Sequence, residues 1–95
     1  MKDYIVYILL CNDGSYYTGM TSNMDARLWQ HNNAYFPECY TASRLPLKLV
    51  YQTTFSDKYQ AFDFEHRIKG WSRKKKQALI SGDWNVISTL SKKRR

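Results

Sequence analysis

The sequence predicts an α+β fold, a small three-stranded antiparallel sheet flanked by helices in the order ββαβαα. Two β-branched and aromatic runs are separated by Asn12-Asp13-Gly14, a hairpin connection. A third run, Pro46 to Gln52, alternates apolar and polar residues. Three further stretches place helix-capping residues ahead of an apolar stripe. With 95 residues and no repeat, low-complexity tract or linker, positions 1–95 read as one domain.

Tyr4-Ile-Val-Tyr-Ile-Leu-Leu10 reads as the central strand. The second strand runs from about Ser15 to Met20. A three-residue hairpin loop commonly ends at positive φ, which Gly14 adopts without steric cost. Such a loop pairs Cys11 with Ser15, Leu9 with Tyr17 and Tyr7 with Gly19. Tyr7 and Tyr17 then project from the same face, whereas a two-residue loop would set them on opposite faces.

Ser22 is expected to open the first helix, with Asp25 as its capping partner, and the helix to reach about His31. Met24 and Leu28 point inward in projection, flanked by Arg27 and His31. Asn32 to Leu45 reads as a long loop holding Pro37, Cys39, Tyr40 and Arg44. In the third strand Leu47, Leu49 and Tyr51 share one side. Ser56 is expected to cap a second helix that runs to about Gly70. Its stripe is Ala61, Phe64, Ile68 and Trp71, with Phe62 at the edge. Ser72 starts a short helix that stops at Ser81-Gly82, and a weak turn from Asp83 to Leu90 precedes the basic end, 91–95.

Charge is distributed unevenly. Residues 1–66 hold five Lys or Arg against seven Asp or Glu, and residues 67–95 hold ten against one. That asymmetry favours a polyanionic partner over a merely solvated tail. Membrane attachment is not expected, because no run of 18 apolar residues and no amphipathic helix with a large apolar face is present. The apolar run Tyr4 to Cys11 is too short for a signal peptide and reads as a buried strand. Cys11 and Cys39 form neither a disulfide framework nor metal-ligand spacing, so a reducing, cytoplasmic setting is expected.

Several positions fit a purely structural role poorly. Glu65 borders an apolar helix face, where a carboxylate is either partly desolvated or holding a positive group. The bland alternative is a surface pair with Lys69 at i+4. Arg27 can lay its stem on apolar neighbours or hold a phosphate with its planar fork. His31, one turn on, is either an edge histidine or an acid–base group. Tyr7 and Tyr17 are at home in strands, and a phenol becomes a base only beside cations or a metal. Arg73-Lys-Lys-Lys76 puts four cations in a first helical turn, where the macrodipole disfavours them, which suggests an external anion. Trp71 beside it either stacks on a base or closes the core.

These residues spell a pattern. Ile5-Val6-Tyr7, followed by Tyr17-Thr18-Gly19, Arg27, His31 and Glu65, resembles the paired signature of the GIY-YIG nuclease superfamily. Ile5 stands for the first glycine and Thr18 for the middle isoleucine, while both tyrosines and Gly19 are kept. The segments YIVYILLCNDGSYYTGMTSNMDARLWQHN, PLKLVYQTTF and FEHRIKGWSRKKKQALI look like the small stand-alone GIY-YIG proteins of bacteria, over about residues 4–80.

The resemblance implies a metal-dependent endonuclease acting on DNA, with RNA left open as substrate. It implies that Glu65 holds one Mg²⁺ or Mn²⁺ and that Tyr7 and Tyr17 line the site, one phenolate or its bound water deprotonating the attacking water. Arg27 would stabilise charge on the phosphoryl oxygens and His31 would assist proton transfer. Arg44, Lys69, Arg73, Lys74 and Lys75 are the cations expected to meet nucleic acid. Many superfamily nucleases also carry a late Asn or Gln, and Gln77 lies in that region. A nucleic-acid-binding module without catalysis is the competing expectation.

Overall fold

The structure, a computed structural model, describes residues 3–83. It contains β1 (Tyr4–Leu10), β2 (Tyr16–Thr21), α1 (Met24–Asn32), β3 (Lys48–Phe55), α2 (Lys58–Lys69) and α3 (Arg73–Ser81). The three strands form one antiparallel sheet in the order β2-β1-β3. The expected α+β architecture and element order are therefore present. The expected turn at 83–90 and basic end at 91–95 lie outside the described residues beyond Asp83.

The hairpin has the register expected of a three-residue loop, with Leu9 opposite Tyr17 and Tyr7 opposite Gly19. Gly14 takes φ +84°, and the Cys11 amide donates to the Ser15 carbonyl at 2.8 Å. Because side chains alternate, Tyr7 and Leu9 share a face with Tyr17 and Gly19, and Val6 and Ile8 share the other with Thr18. Val6 and Ile8 pack with Ala61 and Ile68 of α2 and with Ala78 and Leu79 of α3. Val6, Ile8 and Ile68 are fully buried, each contributing roughly 1.5–3 kcal/mol. The opposite face receives α1 and the loop after it. The sheet thus has an apolar side, and a side where Tyr7 meets polar groups.

Several boundaries differ from the sequence reading. Asn23, not Ser22, caps α1, its side chain accepting from the Ala26 amide, while Asp25 merely occupies the first turn. Asp57, not Ser56, caps α2 by accepting from the Tyr59 amide. In each case two adjacent residues can both cap, and the backbone turn selects the second. Strand β3 begins later and runs on to Phe55, and a register shift opposite Ile8 and Leu9 leaves Val50 unpaired. That bulge breaks the expected Leu47, Leu49, Tyr51 alternation, so Val50 and Tyr51 both pack against the core. Phe62 is 56% exposed rather than at the edge of the buried stripe. Ser72 and Gly82 bound α3 as expected, Gly82 at φ +77°.

Candidate active site

Tyr7 comes from the central strand and is fully buried. Its ring lies across Gly19 on the neighbouring strand, where an added Cβ would stand 2.6 Å from Tyr7 Cζ. Only glycine leaves the phenol room to cross its partner strand. The Tyr7 hydroxyl reaches His31 Nε2 at 2.9 Å, and His31 Nδ1 reaches Thr41 Oγ1 at 2.8 Å. Thr41 sits in the loop between α1 and β3 and is 1% exposed. Its own proton points to Cys39 Sγ at 3.5 Å.

These contacts fix the proton positions. Thr41 has one hydroxyl proton and gives it to sulfur, so His31 Nδ1 is the donor to Thr41. Burial, and then the nearby Arg27 charge, lower the His31 pKa and keep the ring neutral. Nε2 is therefore a lone-pair acceptor for the Tyr7 proton. Burial, with Tyr17 next, pushes the Tyr7 phenol up to about 12, against the lowering pull of Arg27. Both ring nitrogens of His31 are thus engaged.

Tyr17 stands differently. It is half-buried, its ring 6.4 Å from that of Tyr7, edge-on to His31 at 5.2 Å and stacked on Tyr40 at 6.2 Å. Together with Arg27, His31, Cys39 and Thr41 it lines a cavity of about 350 Å³. Burial raises its phenol pKa, and the charges of Lys69 and Arg27 act in the opposite direction. Cys39 is also drawn in: burial opposes ionisation, but hydrogen bonds from Thr41, Tyr17 and the local backbone leave its thiol pKa lowered.

Glu65 is buried in α2, and among the described residues its ion pair is with Lys69 at 3.0 Å. The expected i+4 partner is present, but the carboxylate is buried rather than at the surface. Among the described residues no three His, Cys, Asp or Glu side chains gather as a metal cage. A lone carboxylate does not suit zinc, which takes several protein ligands. It fits Mg²⁺ or Mn²⁺, which keep waters and use phosphate oxygens as ligands.

The basic residues are placed unequally. Arg44 pairs with Asp13 at 2.9 Å and lies over the Tyr40 ring. Arg73 donates to the Gly14 carbonyl and lies over Tyr16. Lys75 is buried, with its ammonium 4.3 Å from the centre of the Trp71 ring, so its expected phosphate contact has a structural competitor. Trp71 itself packs against the core. Lys74 is exposed. Gln77 is exposed and lines neither the Arg27 cavity nor the one beside Lys69. Sequence reasoning missed Thr41 and Cys39, which no motif marks, and Lys76, the last cation of a run it had singled out.

Tyr7, Tyr17, Arg27 and His31 gather beside the three-stranded sheet, as in a GIY-YIG domain, while Glu65 lines neither the Arg27 cavity nor the one beside Lys69. The sequence pattern of the GIY-YIG catalytic domain matches residues 3–78, and the chain belongs to that family. It is 42% identical over 80 residues to a UPF0213 protein of Staphylococcus epidermidis, spanning 84% of this chain and 96% of that one. A UPF0213 protein of Staphylococcus saprophyticus is 43% identical over 81 residues, 85% and 98% of the two chains. The solution NMR structure of a UPF0213 protein from Bacillus halodurans has a TM-score of 0.56 at 40% identity, covering 83% of each chain. A protein from E. faecalis, also solved by NMR, gives 0.62 at 31% identity over 86% of each. No helix of the described residues is long and apolar enough to cross a membrane.

Proposed function

We propose that this chain is a divalent-metal-dependent endonuclease that hydrolyses phosphodiester bonds in DNA. The observation that carries the reading is the position of Tyr17. Its phenol borders the cavity that holds Arg27 and His31, and it lies within the field of Lys69, the partner of Glu65. Of the two tyrosines only Tyr17 lines that cavity, so its phenolate is the one that meets the attacking water. Arg27 and Lys69 favour that phenolate and oppose the effect of burial. Arg27 also presents its fork to the phosphoryl oxygens as charge develops on them. Tyr7, His31 and Thr41 form a buried chain that holds the wall of the cavity in one geometry. Glu65 would hold Mg²⁺ or Mn²⁺, which supplies charge neutralisation and a more acidic water when bound.

One observation favours a different reading, a nucleic-acid-binding module without catalysis: the Glu65 carboxylate is already taken by Lys69. Labelled linear, nicked and branched DNA, incubated with Mg²⁺, Mn²⁺ or EDTA, separates the two. Cutting only with metal supports the nuclease. Binding without cutting on every substrate supports the module.

A further inference from the structure

On the far side of Tyr17 lies a second cavity, of about 290 Å³, lined by Tyr16, Tyr17, Thr18, Tyr40, Lys69 and Lys76. It sits at β2, an edge strand of the sheet, where the two faces meet. Three features are unusual for a surface pocket. Thr18 is 3% exposed, and its buried hydroxyl has no hydrogen-bond partner among the described residues. Such an orphan costs roughly 1–3 kcal/mol. Lys76 is half-buried and makes no ion pair with a carboxylate among the described residues. Its ammonium also lies close to the Lys69 charge, and burial, followed by that charge, lowers the Lys76 pKa.

Two neighbouring ammonium groups, an orphaned hydroxyl and tyrosine rings make a site that lacks an anion. We infer that this cavity binds a phosphate group of the nucleic-acid strand, one that is not itself cleaved, through Lys76, Lys69 and Thr18. The inference rests on the proposed nuclease reading and extends it. Lys69 is paired with Glu65, which leaves Lys76 as the lining cation without a carboxylate partner among the described residues. The Thr18 hydroxyl would give the phosphate a neutral donor. A strand passing over Tyr17 and Tyr40 then has one phosphate on the Arg27 side and another on the Lys76 side. The pocket sets where the strand lies and leaves the chemistry to the first cavity.

The full chain is titrated in EDTA with a labelled oligonucleotide over a range of salt, as wild type and as Lys76→Ala, Thr18→Val and Thr18→Ser. Lys58→Ala, an exposed cation at the start of α2, serves as control. Lys76→Ala is expected to weaken binding about tenfold and to lower the salt slope by about one. Thr18→Val should weaken binding about threefold at unchanged slope, and Thr18→Ser should restore it. A second arm titrates wild type with inorganic phosphate and follows the Thr18 and Lys76 amide resonances, which are expected to move. If Lys76→Ala and Thr18→Val bind like Lys58→Ala while wild type binds and cuts DNA, the inference is overturned and the nuclease reading stands. Amide shifts with phosphate but unaltered oligonucleotide binding overturn the strand assignment. If wild type neither binds nor cuts DNA, both fall.

Discussion

The two sides of Tyr17 are built on opposite principles. On one, the Tyr7 hydroxyl, both nitrogens of His31 and the Thr41 hydroxyl form a buried, electrically neutral chain with every member engaged. On the other, Lys69 and Lys76 lie close together beside a Thr18 hydroxyl that has no partner among the described residues. The first side is complete without ligand and rigidifies the cavity that receives the reacting group. The second is incomplete by its own hydrogen-bond and charge count. Fully satisfied polar networks fix one structure, whereas unsatisfied ones mark where something else binds.

The largest effect should come from Tyr17, which belongs to both sides. Tyr17→Phe keeps the ring and its stacking on Tyr40 but removes the hydroxyl, and cleavage should fall by about 10²–10⁴. Because burial raises the Tyr17 pKa, wild-type activity should climb as pH rises above neutrality and phenolate forms. The Phe variant should lack that alkaline limb. A pH–rate profile of the two proteins decides it, and an identical limb in both would assign the proton transfer elsewhere.

Next comes Gly19. A methyl there runs into the Tyr7 ring, so Gly19→Ala must push the phenol off His31 or distort the hairpin. Overpacking of this kind costs about 1–3 kcal/mol, readable as a lower urea midpoint. Full stability in the variant would show that the Tyr7 ring moves freely, against the idea of a rigid side.

Thr41 gives a smaller and more selective test. Thr41→Val leaves the His31 Nδ1 proton without its acceptor, a loss of roughly 1–3 kcal/mol that Thr41→Ser should recover. The pH dependence has a definite sign. His31 is lowered in the fold, so between its folded pKa and about 6.5 the unfolded chain binds more protons. Stability should be level above about 6.5 and should decline as pH falls through that window. A His31→Gln variant should not show this decline, and denaturation midpoints at pH 5 and 7 measure the difference.

How much of this was legible in the sequence follows a physical line. Strand periodicity and the loop ending in Gly14 gave the hairpin register, and with it the shared face of Tyr7 and Tyr17. These are local effects, carried by alternation and turn geometry. Asn23 and Asp57 were misjudged by one position because each has a serine neighbour with the same capping chemistry. The Val50 bulge left no local mark. Thr41 was hidden because its role depends on a loop folding back onto a helix placed earlier in the chain. Lys75 shows the limit of reading charge by position: it sits in a run of four cations, yet the helix turns it onto Trp71 while Lys74 faces water.

If Glu65 serves chemistry and not merely its partnership with Lys69, cleavage depends on it. The direct measurement is cleavage of labelled DNA with Mg²⁺ or Mn²⁺ by wild type and Glu65→Ala, with binding of the same DNA measured in EDTA. Cleavage should disappear in the variant while binding stays the same or tightens slightly, since Lys69 is released. Undiminished cleavage by Glu65→Ala would contradict this, because the buried Glu65 carboxylate would then be dispensable to the reaction.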